Sequence, residues 1–342
     1  MITRRFIQAL GGAALILVLA GCGGRHSPGG AAPAQEVRFS VLSTESAQTM
    51  AAYWQPILVD MQKETGLKVT PYFSNNYTLL VEALRYKKSD AGWFSNQSGL
   101  EAVRRGGGEV FARTFSASGG DGYTSVLIAG ARSGITLEKL LKCDKTLTFG
   151  LGDVLSTSGT LAPMTYLFAP RNIRPVDCFR QVRSGSSHGA NLAAVANGQL
   201  DVATNNSTSL MLNEQNGGHE ASKVKVIWRS PILPEDPIIW RKDLDPDIKE
   251  KLRQFFLTYG QGDGPDAIRA RGYMAKVHVG GFKAADDNHL LPVREMEATE
   301  LWLLAKESHD PVKIAQAKAA LESIREQRVA LEARTRAPAA AQ

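Results

Sequence analysis

From Val37 the chain alternates two kinds of pattern. Val37, Phe39 and Val41 fall on one face of an extended run, and the turn Ser43-Thr44-Glu45-Ser46 then opens a segment in which Ala52, Ile57, Leu58 and Met61 carry a helical stripe to Gly66. Pro56 is expected to bend or interrupt that helix, because it removes an N–H donor and crowds the preceding turn. The same rhythm continues with a strand over 67–73, a helix over 79–84, a short strand over 90–94 and a helix ending at Gly106-Gly107-Gly108. Strands alternating with helices predict an open, mainly parallel α/β sheet.

Ser118-Gly119-Gly120-Asp121-Gly122 breaks the rhythm, and the strand-like run from Tyr123 to Ala129 reads as a crossover into a second lobe. Alternation then restarts: a helix near Leu140, a strand over 147–150, the turn Ser156-Thr157-Ser158, and a helix to Phe168. Phe179-Arg180-Gln181-Val182 precedes a loop over 184–189, a helix over 191–197, and a strand over 200–204 that ends in Asn205 and Asn206. The run from Pro231 to Pro237 reads as the return crossover. The predicted organisation is therefore lobe 1 over 36–128 and 230–292, lobe 2 over 129–229, and a ligand cleft between them. Beyond 293 the composition turns to Ala, Glu, Leu, Lys and Arg, which predicts one or two helices to 335, broken near Asp310-Pro311. Their apolar positions Ala315, Ala319, Leu321, Ile324 and Val329 would pack on the body or form a dimer surface.

The start of the chain changes the picture of where it works. Thr3-Arg4-Arg5-Phe6 leads an apolar run over 13–19, shorter than the ~20 residues a membrane-spanning helix needs, so residues 1–21 read as an export signal. Leu19-Ala20-Gly21-Cys22 resembles the lipobox of bacterial lipoproteins, which implies a periplasmic protein held to the membrane by a lipid on Cys22. The Gly/Pro/Ala-rich stretch 22–35 would be a flexible tether, and 336–342 a disordered tail. Losing Arg4 and Arg5 lowers the formal charge from +6 to +4. That mild, unclustered excess suits an anionic ligand and lacks the basic stripe of a nucleic-acid binder. With Cys22 lipidated, Cys143 and Cys178 remain as an even pair, either a disulfide or two buried thiols. Metal-ligand spacings and phosphate-loop or dinucleotide fingerprints are absent from the sequence, so no metal or cofactor is expected.

Two stretches carry candidate chemistry. Ser156-Thr157-Ser158 stands where a strand hands over to a helix, and unpaired N–H groups with the positive end of the peptide dipoles favour an anion there; Ser156 or Thr157 could equally be an ordinary cap. Gly185-Ser186-Ser187-His188-Gly189 matches the Gly-x-Ser-x-Gly elbow of a secreted hydrolase, with Ser187 as nucleophile, Asp201 or Asp236 as the acid, and His278 or His289 as the base. The residues leading into it are too polar for the buried strand that an elbow follows.

Six blocks in order give a sharper reading: Ser43-Thr44-Glu45-Ser46, Trp54-Gln55-Pro56, the run Gly122 to Ile128, Ser156-Thr157-Ser158-Gly159, the run Asp201 to Asn206, and the run Asp236 to Lys242. They resemble the substrate-binding proteins of phosphonate ABC importers, from about Val37 to Pro292. The resemblance implies a type II periplasmic binding-protein fold that closes on a phosphonate and delivers it to a permease, without catalysis; signalling to a membrane sensor is the variant of that role. It implies that Ser156, Thr157, Ser158, Tyr77 and His188 hold the phosphonate oxygens, His188 from a loop, with Tyr123 also facing the ligand. Binders of aminoalkylphosphonates in that family place two acids at the ligand's ammonium end. Asp236 matches one, whereas the other position is Thr208, and Gly189 and Ala190 replace bulkier, more polar residues. The implied headgroup site is intact, while the acid missing at Thr208 counts against 2-aminoethylphosphonate as the preferred ligand; a smaller or uncharged-tailed phosphonate, phosphite or a phosphate ester would fit the residues equally well.

Overall fold

A computed structural model of the protein describes residues 35–336. The expected export signal, Cys22 with the tether up to residue 34, and residues 337–342 of the tail lie outside the described residues. The first half of the body runs β1 (Glu36–Leu42), α1 (Ala47–Thr65), β2 (Lys68–Ser74), α2 (Tyr77–Arg85), β3 (Ala91–Trp93), α3 (Asn96–Arg105), β4 (Gly108–Ser116), β5 (Gly122–Gly130), α4 (Leu137–Leu140) and β6 (Thr148–Gly152). It continues with α5 (Pro175–Cys178), β7 (Gln181–Ser186), α6 (His188–Ala196), β8 (Val202–Asn206), α7 (Ser207–Gln215), β9 (Val224–Pro234) and β10 (Pro237–Arg241). Then come α8 (Pro246–Thr258), α9 (Pro265–Ala275), β11 (Val279–Ala284), α10 (Leu291–Glu307) and α11 (Pro311–Arg336).

These strands form two sheets, in the orders β11-β4-β10-β3-β1-β2 and β7-β6-β8-β5-β9. The sheets are mixed, not mainly parallel. β1 runs parallel to β2 and β3, and β6 to β7 and β8, while β10 is antiparallel to β3 and β4, and β5 to β8 and β9. The crossovers explain this, because a strand that returns from the other lobe enters against its neighbours. They also move the boundaries. β5 already belongs to the second sheet, so the chain passes between lobes at 117–121, ahead of the expected 128/129, and it returns at 235–236, after the expected 229/230.

Each sheet is buried by its own aromatic cluster. In the first, Phe39 stacks 5.7 Å from Phe256 and Phe111 lies 3.9 Å from Trp240; in the second, Phe149 packs 4.4 Å from Phe179 and 5.6 Å from Phe168. Such pairs add ~0.5–1.5 kcal/mol each beyond the area they bury. Pro56 does not interrupt α1: Trp54, Ile57, Leu58 and Met61, all buried, hold the helix together across the missing hydrogen bond. Cys143 and Cys178 are joined by a disulfide.

The segment expected as a helix to Phe168 takes wide π-helical turns, Thr157–Leu161 and Met164–Phe168, a form that recurs at functional sites. The break between the last two helices falls at 308–310. On α11, Leu321 is buried and Ile314, Ala317 and Ile324 are half-buried, whereas Ala315, Ala319 and Val329 are exposed, so of the expected apolar positions Leu321 and Ile324 pack on the body. α10 bridges the lobes: Gln97 Nε2 donates to Glu297 Oε1 (2.6 Å) from α3, and Thr165 Oγ1 to the carbonyl of Met296 (3.3 Å) from lobe 2.

Candidate functional site

Helices that follow strands in this fold begin at one edge of each sheet, and their sequences mark the starts with short polar residues. Asn76 accepts from the N–H of Leu79 (3.0 Å), Ser95 from Ser98 (3.2 Å), Ser156 from Gly159 (3.0 Å), Ser187 from Ala190 (3.2 Å) and Asn206 from Ser209 (2.7 Å). Tyr77, Ser95, Ser156, His188 and Asn206, each at such a start, line one cavity between the two sheets. Its volume is about 50 Å³, several times what one water needs. Residues at five helix starts therefore border one cavity, which is the electrostatic setting an oxyanion needs.

The lobes are closed over it. Across the cleft, the N–H of His188 donates to the carbonyl of Thr44 (2.9 Å), Ser95 Oγ to that of Leu155 (2.9 Å), and the N–H of Gln97 to Thr157 Oγ1 (2.8 Å). Ser209 Oγ donates to Glu45 Oε1 (2.7 Å), and the N–H of Tyr77 to Asp153 Oδ2 (3.3 Å). Gly189 leaves room for this closure: a Cβ there would lie inside van der Waals contact of Glu45 Oε2. The absence of a bulkier residue at 189 thus pairs with a carboxylate from the facing lobe.

Within the cavity Ser158 is the meeting point. Its hydroxyl is 3.2 Å from His188 Nε2 and accepts from Asn206 Nδ2 (3.2 Å). Burial, with the charge of Asp236 nearby, pushes the Tyr123 hydroxyl well above its usual range despite a hydrogen bond with Ser158; burial likewise raises Tyr77, against a hydrogen bond with Ser156. Both remain neutral donors. Burial alone lowers His188 to about 4, so at neutral pH it contributes hydrogen bonds and no charge. His188 Nδ1 and Trp93 Nε1 are buried without partners, and both residues line the cavity.

Of the residues expected at the site, Tyr77, Tyr123, Ser156, Ser158, His188, Thr208 and Asp236 line this cavity. Thr157 does not: its hydroxyl caps α3 through the N–H of Gln97. His188 is the first residue of α6 instead of a loop residue. The hydrolase constellation does not assemble. Ser187 caps α6, His278 Nε2 faces Ser116 Oγ (3.0 Å), His289 Nε2 faces the carbonyl of Glu235 (2.7 Å), and Asp201 accepts from Thr148 (2.7 Å). Among the described residues no group of three or more metal-ligating side chains comes together.

Sequence reasoning missed Trp93, Asn206, Glu235 and His278 as lining residues. Asn206 ends one quoted block and Glu235 stands beside another, so both could have been found there; Trp93, on β3, and His278, just before β11, carry no local signal.

Burial pushes the Glu45 carboxyl up to about 7 against a hydrogen bond from Ser209. A carboxyl raised on folding favours the folded state when protonated, so its contribution is full below pH 4.5 and is lost as pH rises toward about 7. Glu45→Gln cannot ionise and keeps an accepting oxygen for Ser209. The variant is therefore expected to gain stability relative to the parent between pH 4.5 and 7, by on the order of 1–3 kcal/mol, and then to plateau. Thermal melting across that range checks it; parallel curves would remove Glu45 from the closed interface.

Comparison with known proteins gives the same reading. The family described as "ABC transporter, phosphonate, periplasmic substrate-binding protein" matches residues 39–290. The phosphonates-binding periplasmic protein of Escherichia coli (strain K12) is 42% identical over 261 residues, 76% of this chain and 75% of that protein. Among solved structures, a binding-protein component of an ABC phosphonate transporter from Pseudomonas aeruginosa superposes with a TM-score of 0.79 at 38% identity, over 88% of this chain and 98% of that one. PhnD1 from Prochlorococcus marinus, in complex with methylphosphonate, shares the fold with a TM-score of 0.67 at 19% identity, over 77% and 97% of the two chains. With most of its length matched by the family and by a 42% identical relative, this chain belongs to the periplasmic substrate-binding proteins of phosphonate ABC transporters.

Proposed function

We propose that the cavity captures a phosphonate or a closely related phosphorus oxyanion between the lobes and that the closed protein presents it to an ABC permease. The observation that carries this reading is the enclosed space ringed by helix starts and neutral hydroxyls, with the buried nitrogens of Trp93 and His188 still lacking partners. Tetrahedral oxygens would accept from Ser156, Ser158, Tyr77 and Tyr123 and from those nitrogens. Ser156 thus combines two roles, capping its turn and facing the ligand. Thr157 would act through its backbone and by holding α3 in the closed arrangement.

The protein binds without turning its ligand over. His188, the ring beside Ser158, has no carboxylate at Nδ1 to orient it as a base. Because Trp93 lines the cavity, tryptophan fluorescence should change saturably with methylphosphonate, phosphite or 2-aminoethylphosphonate and much less with sulfate. A flat response to every phosphorus compound would refute the reading.

The proposal includes attachment to the membrane through a lipid on Cys22, supported by the export signal and lipobox in the sequence. No helix among the described residues is long and apolar enough to cross a membrane. Cys22→Ser is expected to move the protein from the membrane pellet to the soluble periplasmic fraction. A variant that stays in the pellet would contradict the anchor.

A further inference from the structure

Among the described residues no lysine or arginine lines the cavity, yet two neighbouring carboxyls do: Glu235 and Asp236, in the turn between β9 and β10. Asp236 Oδ1 accepts from Asn96 Nδ2 (3.2 Å), and Glu235 Oε2 from Thr114 Oγ1 (3.3 Å). Both donors are neutral. Arg113 is the cation felt by Glu235, but its guanidinium is committed to Asp121 (3.1 Å), and no ion pair among the described residues includes Glu235 or Asp236. Burial pushes Glu235 up to about 7, and burial together with Glu235 pushes Asp236 well above the usual carboxylate range.

Carboxyls largely withdrawn from water without a cation are costly, so the presence of these two half-buried ones in a ligand cavity needs a reason. The phosphonate headgroup makes the need sharper. A ligand with a neutral tail would add negative charge to a space that already holds two carboxyls and no cationic side chain. A ligand with a cationic tail relieves both. Thr208 also faces the cavity, but a hydroxyl cannot balance a charge.

We infer that Glu235 determines specificity, forming with Asp236 a two-carboxylate seat for a protonated amino group on the ligand's tail, in place of the acid missing at Thr208. The ligand class is then a zwitterionic aminoalkylphosphonate. This rests on the phosphorus-oxyanion reading above and deepens it. The acid has moved from the start of α7 to the β9–β10 turn, which approaches the same space from the crossover.

Titration calorimetry of the purified protein against 2-aminoethylphosphonate and propylphosphonate, whose tails differ mainly in charge, tests it. The parent protein should prefer the amino compound. Glu235→Gln should weaken that compound at least about tenfold and leave propylphosphonate within about twofold, since a charge-assisted contact is lost from one ligand alone. Glu235→Asp should keep the preference, and Glu235→Gln combined with Thr208→Glu should restore it. Melting curves confirm that each variant is folded. If Glu235→Gln weakens both ligands equally, or leaves their ratio unchanged, Glu235 is not the seat. If the parent binds both equally, this inference fails while the oxyanion reading stands; if it binds neither, nor any other phosphorus oxyanion, both fall.

Discussion

Ser158→Ala should weaken methylphosphonate, phosphite and 2-aminoethylphosphonate by one common factor, about 10- to 100-fold. The Ser158 hydroxyl lies at the centre of a buried network, 3.2 Å from His188 Nε2 and from Asn206 Nδ2, with Tyr123 also in hydrogen-bond contact. Its removal takes away a ligand contact and leaves those partners without the group that orients them, and an unsatisfied buried donor costs ~1–3 kcal/mol. The loss should be common to all ligands because they share only the headgroup. The Ser158 carbonyl, which accepts from Ser125 Oγ (2.6 Å), is untouched, so the turn itself persists. Affinities of the variant for the three ligands check this. A loss confined to the amino compound would place Ser158 at the tail and reverse the orientation of the ligand.

Gly152→Ala should be more damaging, although it touches no ligand. β6 ends at Gly152, where a Cβ would stand 2.8 Å from the Cα of Gly159, backbone against backbone, with no flexible side chain to give way. The turn carrying Ser156 and Ser158 would have to lift from the strand. A forced shift in a packed interior costs ~1–3 kcal/mol, and moving the donors should lower affinity for every phosphorus ligand by roughly 100-fold or more. Melting temperature and affinity should fall together. Parent-like affinity in this variant would mean that the turn is not held by its contact with β6.

Much of this was legible in the chain, and what was not has physical causes. The strand and helix rhythm is local, because burying one face of an element leaves a period of two or 3.6 in the sequence. The polar residues at helix starts are equally local and point to the turn with Ser156 and Ser158, whereas Tyr77 and His188 are legible only through the family resemblance. Strand direction is not local: β10 enters antiparallel between β3 and β4 because of the route the chain takes between lobes, which no run of five residues records. Pro56 inside α1 shows tertiary packing overriding a local breaker. The motif points Thr157 at the ligand, while its hydroxyl accepts from the N–H of Gln97 in the facing lobe, a contact no local pattern records. Glu235 escaped notice for the opposite reason. Beside Asp236 in a Pro-flanked turn it looks like a surface carboxylate, and no local pattern records that this turn lines the cavity.

The two levels of specificity separate cleanly in this arrangement. In the proposed arrangement neutral hydroxyls, a neutral His188 and helix starts would define an oxyanion headgroup, while Glu235 and Asp236 would define what the headgroup carries. Closure joins the two, since Tyr77 comes from lobe 1, Asp236 from the return crossover, and Ser158 and His188 from lobe 2.

The central claim is that this closed cavity holds a phosphorus oxyanion and releases it unchanged. Titration calorimetry with methylphosphonate, phosphite, 2-aminoethylphosphonate, phosphate and sulfate, with phosphorus NMR of the recovered ligand, tests it most directly. The account predicts saturable one-to-one binding of at least one phosphonate and an unaltered phosphorus spectrum. Absence of saturable binding by every phosphorus compound, or a new phosphorus product, would contradict it.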